Sequence, residues 1–281
     1  MNDQELYDLV VRCLKEDVGD GDHSSLACIP ADALGKSRLL VKEEGVIAGV
    51  DVVEKVFKII DDNISFERLI EDGSKVKYGD VAFYVSGLQH SLLKAERLVL
   101  NIMQRMSGIA TATRTYVDKL DGLKTKVLDT RKTTPGIRFL EKEAVKIGGG
   151  TNHRFGLYDM IMLKDNHIDF AGGIEKAIKR TNKYLKDNKL NLKIEIEARN
   201  IDEVKQILSI GHIDHIMLDN FNVEETAKAV KLINGKYETE SSGGITLDTI
   251  RDFAECGVDY VSVGALTHHI KSLDMSLKAI K

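Results

Sequence analysis

The chain has little of what staples, punctuates or anchors a protein. It holds two prolines, Pro30 and Pro135, and no tryptophan. With so little proline and no low-complexity stretch, nothing resembles a tether, so the regions of the chain are expected to pack tightly. Cys13, Cys28 and Cys256 are odd in number, scattered and free of any C-x-x-C pair. That argues against a disulfide framework and a thiolate metal site, and it reads as buried thiols in a reducing compartment. No run approaches the roughly 18 apolar residues that suggest a membrane span. The start, "MNDQELYDLVVRCLKEDVGDGD", lacks the basic opening and apolar stretch of a signal peptide, so a cytoplasmic protein is expected. Excess positive charge is missing too: the formal net charge is -4, which argues against a general nucleic-acid binder. Any anion site must be local. Neither G-x-x-x-x-G-K-[ST] nor H-E-x-x-H occurs, which removes P-loop NTPases and zincins.

What remains is an ordinary globular composition, 43% hydrophobic and 30% charged over 281 residues, enough for one large domain or two modest ones. Leu6, Leu9, Val10, Cys13 and Leu14 recur at helical spacing and predict a first amphipathic helix over 3–15, broken by "GDGDHSS". Residues 36–87 alternate strand-like runs (37–42, 46–48, 64–69 and 81–85) with one helical stretch holding Val52, Val53, Val56, Phe57 and Ile60. This reads as a small α+β domain. A long helix follows in "HSLLKAERLVLNIMQRMSG", with Leu92, Ala95, Val99, Ile102 and Met106 as its apolar stripe and Arg97 nearly opposite. Arg97 is then either a solvated surface residue or a contribution to a subunit interface or neighbouring site.

Beyond residue 109 the rhythm becomes strand then helix. Strands are expected near 125–128, 159–163, 193–197, 214–218, 237–240 and 259–263, and helices near 138–147, 173–187, 202–210, 223–233 and 247–256. Such repetition builds a parallel sheet with right-handed crossovers. The stretch is short of the roughly 250 residues of a full eight-unit barrel, so an incomplete barrel is expected.

In such barrels the chemistry sits at the C-terminal ends of the strands. Those positions supply Asp129, Arg131, Lys132 and Arg138; then His153, Arg154, Lys164, Asp165, Asn166 and His167; then Glu195 and Glu197; then Asp219 and Asn220; then "ESSGG" (240–244) and "VGALTHH" (263–269). Cations crowded at one mouth repel unless an anion neutralises them. Arginine forks match carboxylates and phosphates, so the ligand class is a diacid, a pyrophosphate or both. Glu197 and Asp219 at successive strand ends could grip Mg²⁺ or sugar hydroxyls, or simply pair with nearby lysine and arginine. Strand alternation puts Glu195 on the same face as Glu197, leaving open which of them faces the site. The late glycines suit a phosphate, although short glycine loops also serve plain turns. "IGGGTNHR" reads as helix release or as a loop that closes on a ligand. His268 and His269, being adjacent, are expected to point apart rather than share a metal.

"LLKAERLVLNIMQRMSGIATATRTYV", "DTRKTTPGIRFLEKEAVKIGGGTNHRFGLYDMIMLKDNHI", "IEIEARN", "IMLDNF", "ESSGGIT" and "VDYVSVGALTHH" resemble, in order and over nearly the whole chain, the signature blocks of the quinolinate phosphoribosyltransferase family. "EDVGDGDHSS" and "EGVIAGV" are similar to it as well. The resemblance implies a smaller N-terminal α/β sandwich domain (1–108, joined by 266–281) beside an incomplete (β/α) barrel (109–265). It implies phosphoribosyl transfer from phosphoribosyl pyrophosphate to quinolinate with decarboxylation, Mg²⁺ as cofactor, and a homodimer in which Arg97 reaches the neighbouring subunit's site. By the same resemblance Arg131, His153 and Arg154 hold the diacid, and Lys132 and Lys164 sit where diacid and pyrophosphate meet. Glu197 and Asp219 take ribose hydroxyls and Mg²⁺. Ser242, Gly243 and Gly264 take the 5′-phosphate, with His268 following in that motif. Arg199 after Glu197 departs from the family's usual acid or small residue. The competing expectations are a paralogous phosphoribosyltransferase for another heteroaromatic acid, and a non-catalytic binding protein of the same fold.

Overall fold

The computed structural model describes residues 3–280. In chain order the elements are α1 (Asp3–Val18), α2 (His23–Cys28), β1 (Leu34–Val41), β2 (Gly45–Val46), α3 (Val50–Ile60), β3 (Ser65–Arg68), β4 (Lys75–Val76), β5 (Val81–Leu88) and α4 (Gln89–Lys119). Then follow β6 (Lys126–Leu128), α5 (Arg138–Ile147), β7 (Ile161–Leu163), α6 (Asp165–Ala171), α7 (Ile174–Asn188), β8 (Ile194–Ala198) and α8 (Ile201–Ile210). The last are β9 (His215–Asp219), α9 (Val223–Ile233), β10 (Glu238–Ser242), α10 (Ile250–Glu255), β11 (Tyr260–Ser262), α11 (Ala265–His268) and β12 (Met275–Ile280). They form two compact units. The first comprises 1–114, 133–149 and 266–281, and the second comprises 115–132 and 150–265.

The first unit is built on an antiparallel sheet ordered β12-β1-β5-β3. Alternation in β1 turns Ser37, Leu39 and Val41 inward, and Leu39 lies opposite Phe83 on one side and Leu277 on the other. Phe57 from α3 meets Phe83 edge-on at 6.1 Å between centroids, and Phe66 packs on Phe83 at 4.5 Å. Within the part of α4 in this unit, Ala95, Val99, Met103 and Met106 are buried while Arg97 is exposed. Hydroxyls one turn apart on that helix serve a neighbouring loop: Ser107 accepts from the amide of Ala48 at 2.9 Å, and Thr111 from that of Val46 at 2.8 Å. Gly108 lies between them on the chain because nothing larger fits. A Cβ there would stand 2.3 Å from the carbonyl oxygen of Lys271. Gly108→Ala is therefore expected to cost roughly 1–3 kcal/mol of stability. A shift in the urea unfolding midpoint would measure it, and an unchanged midpoint would mean that the Lys271 strand entry can step aside.

The second unit is an open parallel sheet of six strands ordered β6-β11-β10-β9-β8-β7. Its β8 is buried at all five positions, as expected of a strand covered on both faces. The two sheet ends are not joined to each other; instead Thr151 makes a parallel bridge to Leu128 beside β6. This is the incomplete barrel that the βα rhythm implied. Two helices differ from expectation. The α6 helix begins directly after β7, its first turn stabilised by His167 Nδ1 accepting the Lys164 amide at 3.0 Å, and it ends at Gly172, a glycine in the left-handed region (φ 82°). In the first unit, α2 forms where only a break was expected, because Asp22 caps it through the Ser25 amide.

Candidate active site

The ends of the second unit's strands hold most of the candidate residues. After β6, Asp129 is fully buried and accepts the His153 amide at 2.8 Å, which fixes segment 151–153 alongside that strand. Arg131 and Lys132 lie exposed on the following turn, where the Lys132 amide donates to Thr130 Oγ1 at 3.1 Å. Arg154 is only partly exposed, and its guanidinium reaches the Met160 carbonyl at 3.3 Å and Met162 Sδ at 3.5 Å. Burial, and then the charge of Arg131, push the Arg154 pKa below its ordinary value. The two guanidiniums are thus close enough to repel, and Glu195, Asp159 and Glu197 offset part of that repulsion. The turn before β7, "GLYDM", is closed by Asp159, which accepts the amides of Phe155 and Gly156 at 2.6 and 2.8 Å.

Lys164, at the end of β7, forms an ion pair with Glu197 Oε1, and Glu197 Oε2 accepts the Asp165 amide at 3.1 Å. Glu197 is therefore the mouth carboxylate of β8. Its companion Glu195 lies a step deeper and turns to His153 Nε2 at 2.9 Å. This separates two residues that alternation alone placed on one face. Asp219 ends β9, half-buried, and accepts from Asn220 Nδ2 at 2.9 Å. Its carboxyl is pushed above the usual range by burial and then by the charge of Glu197. Ser242 ends β10, and its carbonyl accepts the Asn220 amide at 2.8 Å. Gly243 follows with φ 100°, and a Cβ on it would stand 2.2 Å from Asn220 Oδ1. Conformation and space both demand glycine there. Gly264 follows β11, two residues beyond Ser262.

Arg97, Arg138 and His268 belong to the first unit. Arg138, grouped by sequence with the strand-end cations, opens α5 and donates from Nε to Thr133 Oγ1 at 2.9 Å. His268 and His269 do not point apart. Because α11 ends at His268, the next ring swings free of helical spacing and the two meet edge-on at 4.6 Å between centroids. Arg199 is tied to Glu203 at 2.8 Å and to Asp169 at 3.3 Å, so this departure from the family pattern braces α8 and α6. Glu240 was not singled out by sequence, yet it is buried with its Oε2 3.3 Å from His153 Nε2. The two-residue step from Ser242 along β10 was the available signal.

Comparison with known proteins fits this arrangement. Residues 109–278 match the quinolinate phosphoribosyl transferase C-terminal domain, and residues 22–107 match the N-terminal domain. The chain belongs to the quinolinate phosphoribosyltransferase family. It is 45% identical to quinolinate phosphoribosyltransferase [decarboxylating] 1b of Nicotiana tabacum, over 98% of this chain and 82% of that protein. To the probable nicotinate-nucleotide pyrophosphorylase [carboxylating] of Bacillus subtilis it is 41% identical, over 99% and 94%. It superposes on the crystal structure of NadC from Streptococcus pyogenes with a TM-score of 0.94 at 40% identity, covering 100% of this chain and 99% of that one. The family's two-domain pattern thus spans nearly all of the sequence.

Proposed function

We infer that the chain is a quinolinate phosphoribosyltransferase, a pentosyltransferase of NAD biosynthesis. It transfers the phosphoribosyl group of phosphoribosyl pyrophosphate to the ring nitrogen of quinolinate, giving nicotinate mononucleotide, pyrophosphate and CO₂. Family membership supports the reaction. The observation that carries the substrate class is Arg154, whose pKa is lowered first by burial and then by the charge of Arg131. Such a pair is relieved by an anion with carboxylates to offer both forks. Arg131 and Arg154 form the diacid end, with His153 beside Arg154 in the chain. Lys132 and Lys164 stand between diacid and pyrophosphate, and Ser242, Gly243 and Gly264 receive the 5′-phosphate.

Glu197 and Asp219 suit a hard divalent cation, because an all-oxygen pair whose charges oppose one another (Glu197 raises Asp219) is what such an ion relieves. We assign them to Mg²⁺ and the ribose hydroxyls; Glu197 and Asp219 would hold the ion, which would supply positive charge beside the departing pyrophosphate. The chain's own groups do the rest. Quinolinate nitrogen attacks the anomeric carbon as the bond to pyrophosphate breaks, through a sugar cation faced by Glu197 or Asp219. Lysine charge from Lys132 and Lys164 meets the charge growing on the leaving group. The ring nitrogen, now cationic, stabilises the electron pair left on the adjacent ring carbon when its carboxylate departs as CO₂, and that carbon then takes up a proton from solvent. No covalent enzyme intermediate is required, so orientation and electrostatics supply most of the acceleration.

The active unit is a homodimer in which Arg97, exposed and off the apolar stripe of α4, enters the neighbouring subunit's site. Among the described residues no helix is long and apolar enough to cross a membrane. We place the enzyme in the cytoplasm, supported by three free cysteines, which are half-buried (Cys13, Cys256) or exposed (Cys28) rather than the buried thiols expected; plant relatives carry chloroplastic or mitochondrial names. An end-point assay with phosphoribosyl pyrophosphate and Mg²⁺ tests the reading. Quinolinate should yield nicotinate mononucleotide and CO₂, the monoacid nicotinate should yield nothing, and chelation should stop turnover until Mg²⁺ is restored. Folded protein that binds phosphoribosyl pyrophosphate yet uses neither acid would be a paralogue for another heteroaromatic acid.

A further inference from the structure

His153 is held from three directions inside the second unit. Its amide donates to buried Asp129 at 2.8 Å. Its Nδ1 accepts the amide of Arg154 at 2.6 Å. Its Nε2 faces Glu195 on β8 at 2.9 Å and Glu240 on β10 at 3.3 Å, two strands separated by β9. Both carboxylates are buried to within 1% of full enclosure. One ring therefore ties the segment after β6 to two non-adjacent strands, and the next residue in the chain is Arg154.

The arrangement is costly, because two buried carboxylates face each other and an oxygen of each, Oε1, has no hydrogen-bond partner. Apolar residues would fill the same space at less cost. What they could not do is accept the Nε2 proton and so set the ring's orientation. Burial works against a charge on His153 and the two carboxylates outweigh it, so its pKa is raised; with Nδ1 accepting the Arg154 amide hydrogen at 2.6 Å, the proton that the carboxylates attract sits on Nε2. A metal is the rival occupant: His153, Glu195 and Glu240 offer donor atoms within 4.8 Å of one another, and an ion there would take the Nε2 lone pair in place of the proton.

We propose that His153, Glu195 and Glu240 form a buried strut that fixes the backbone at 153–154 and so aims Arg154 at the diacid, with Glu195 and Glu240 as positioning residues acting through the imidazole. The proposal rests on the diacid reading of Arg154. Glu240→Ala is expected to raise the KM for quinolinate roughly tenfold while the KM for phosphoribosyl pyrophosphate moves less than about twofold. Glu240→Gln, whose amide oxygen still accepts the Nε2 proton, should return the quinolinate KM to within about threefold of the parent. Independently of turnover, ¹⁵N-histidine spectra of the unmutated protein, assigned by comparison with His153→Gln, should show Nε2 protonated and Nδ1 as acceptor. A proton on Nδ1, an equal rise in both KM values, or one equivalent of tightly bound metal in the purified protein would each overturn the strut. If the parent enzyme does not use quinolinate at all, the functional reading fails while the spectrum still decides the strut.

Discussion

Arg131→Ala should raise the quinolinate KM at least about a hundredfold, close to 3 kcal/mol, while binding of phosphoribosyl pyrophosphate changes little. The expectation follows from the electrostatics of the pair. Arg154 already carries the cost of burial and of a like charge nearby, which is tolerable only if both forks close on one dianion. Removing Arg131 leaves one carboxylate of the diacid without a fork, and Arg154 relieved of its neighbour cannot supply two. Isothermal titration of each substrate separates the effects. Loss of both substrates together would mean that Arg131 serves the shared mouth rather than the diacid end, and the assignment of carboxylates to arginines would have to be redrawn.

Mixing an inactive Arg97→Ala chain with an inactive Lys132→Ala chain should restore about one quarter of the parental activity after subunits exchange at random. The arithmetic is geometric. About half of the dimers are mixed, and in each mixed dimer one site draws intact Lys132 from one chain and intact Arg97 from the other, while its twin carries both lesions. Arg97 suits this test because it is exposed on α4, and Lys132 because it sits on the turn after β6 in the second unit. Exchange proven by mass tags with no activity regained would place Arg97 outside the neighbour's site.

Periodicity disclosed most of the strands and helices beyond residue 109 to within about three residues, and α5 and α9 fall at 138–147 and 223–233 as expected. Repeats of that kind are local, and local spacing is what a sequence displays. Helix α6 escaped because seven residues, "DNHIDFA", are too few to establish a period. Strand β12 escaped because its identity lies in its partner, β1, far away along the chain. The site behaves likewise. Position after a strand pointed to Lys164, Glu197, Asp219 and Ser242, since a rule about strand ends needs no partner. It could not show that Glu195 and Glu240 converge on one imidazole, which depends on side-chain direction across strands, nor that the helix expected at 138–147 groups with the first unit, which depends on contacts far along the chain.

The pairing of Leu39 with Leu277 has a consequence for the life of the chain on the ribosome. Strand β1 is synthesised well before β12, yet one of its edges finds its native cover only when β12 emerges. Until then an early strand waits with unpaired amides and carbonyls, the condition that invites mispairing with other chains. The parallel sheet meanwhile has all six of its strands before β12 appears, so it can be complete while the antiparallel sheet is still open. Contacts of such long sequence separation close slowly, and crowding of nascent chains should be felt first at the β1 edge.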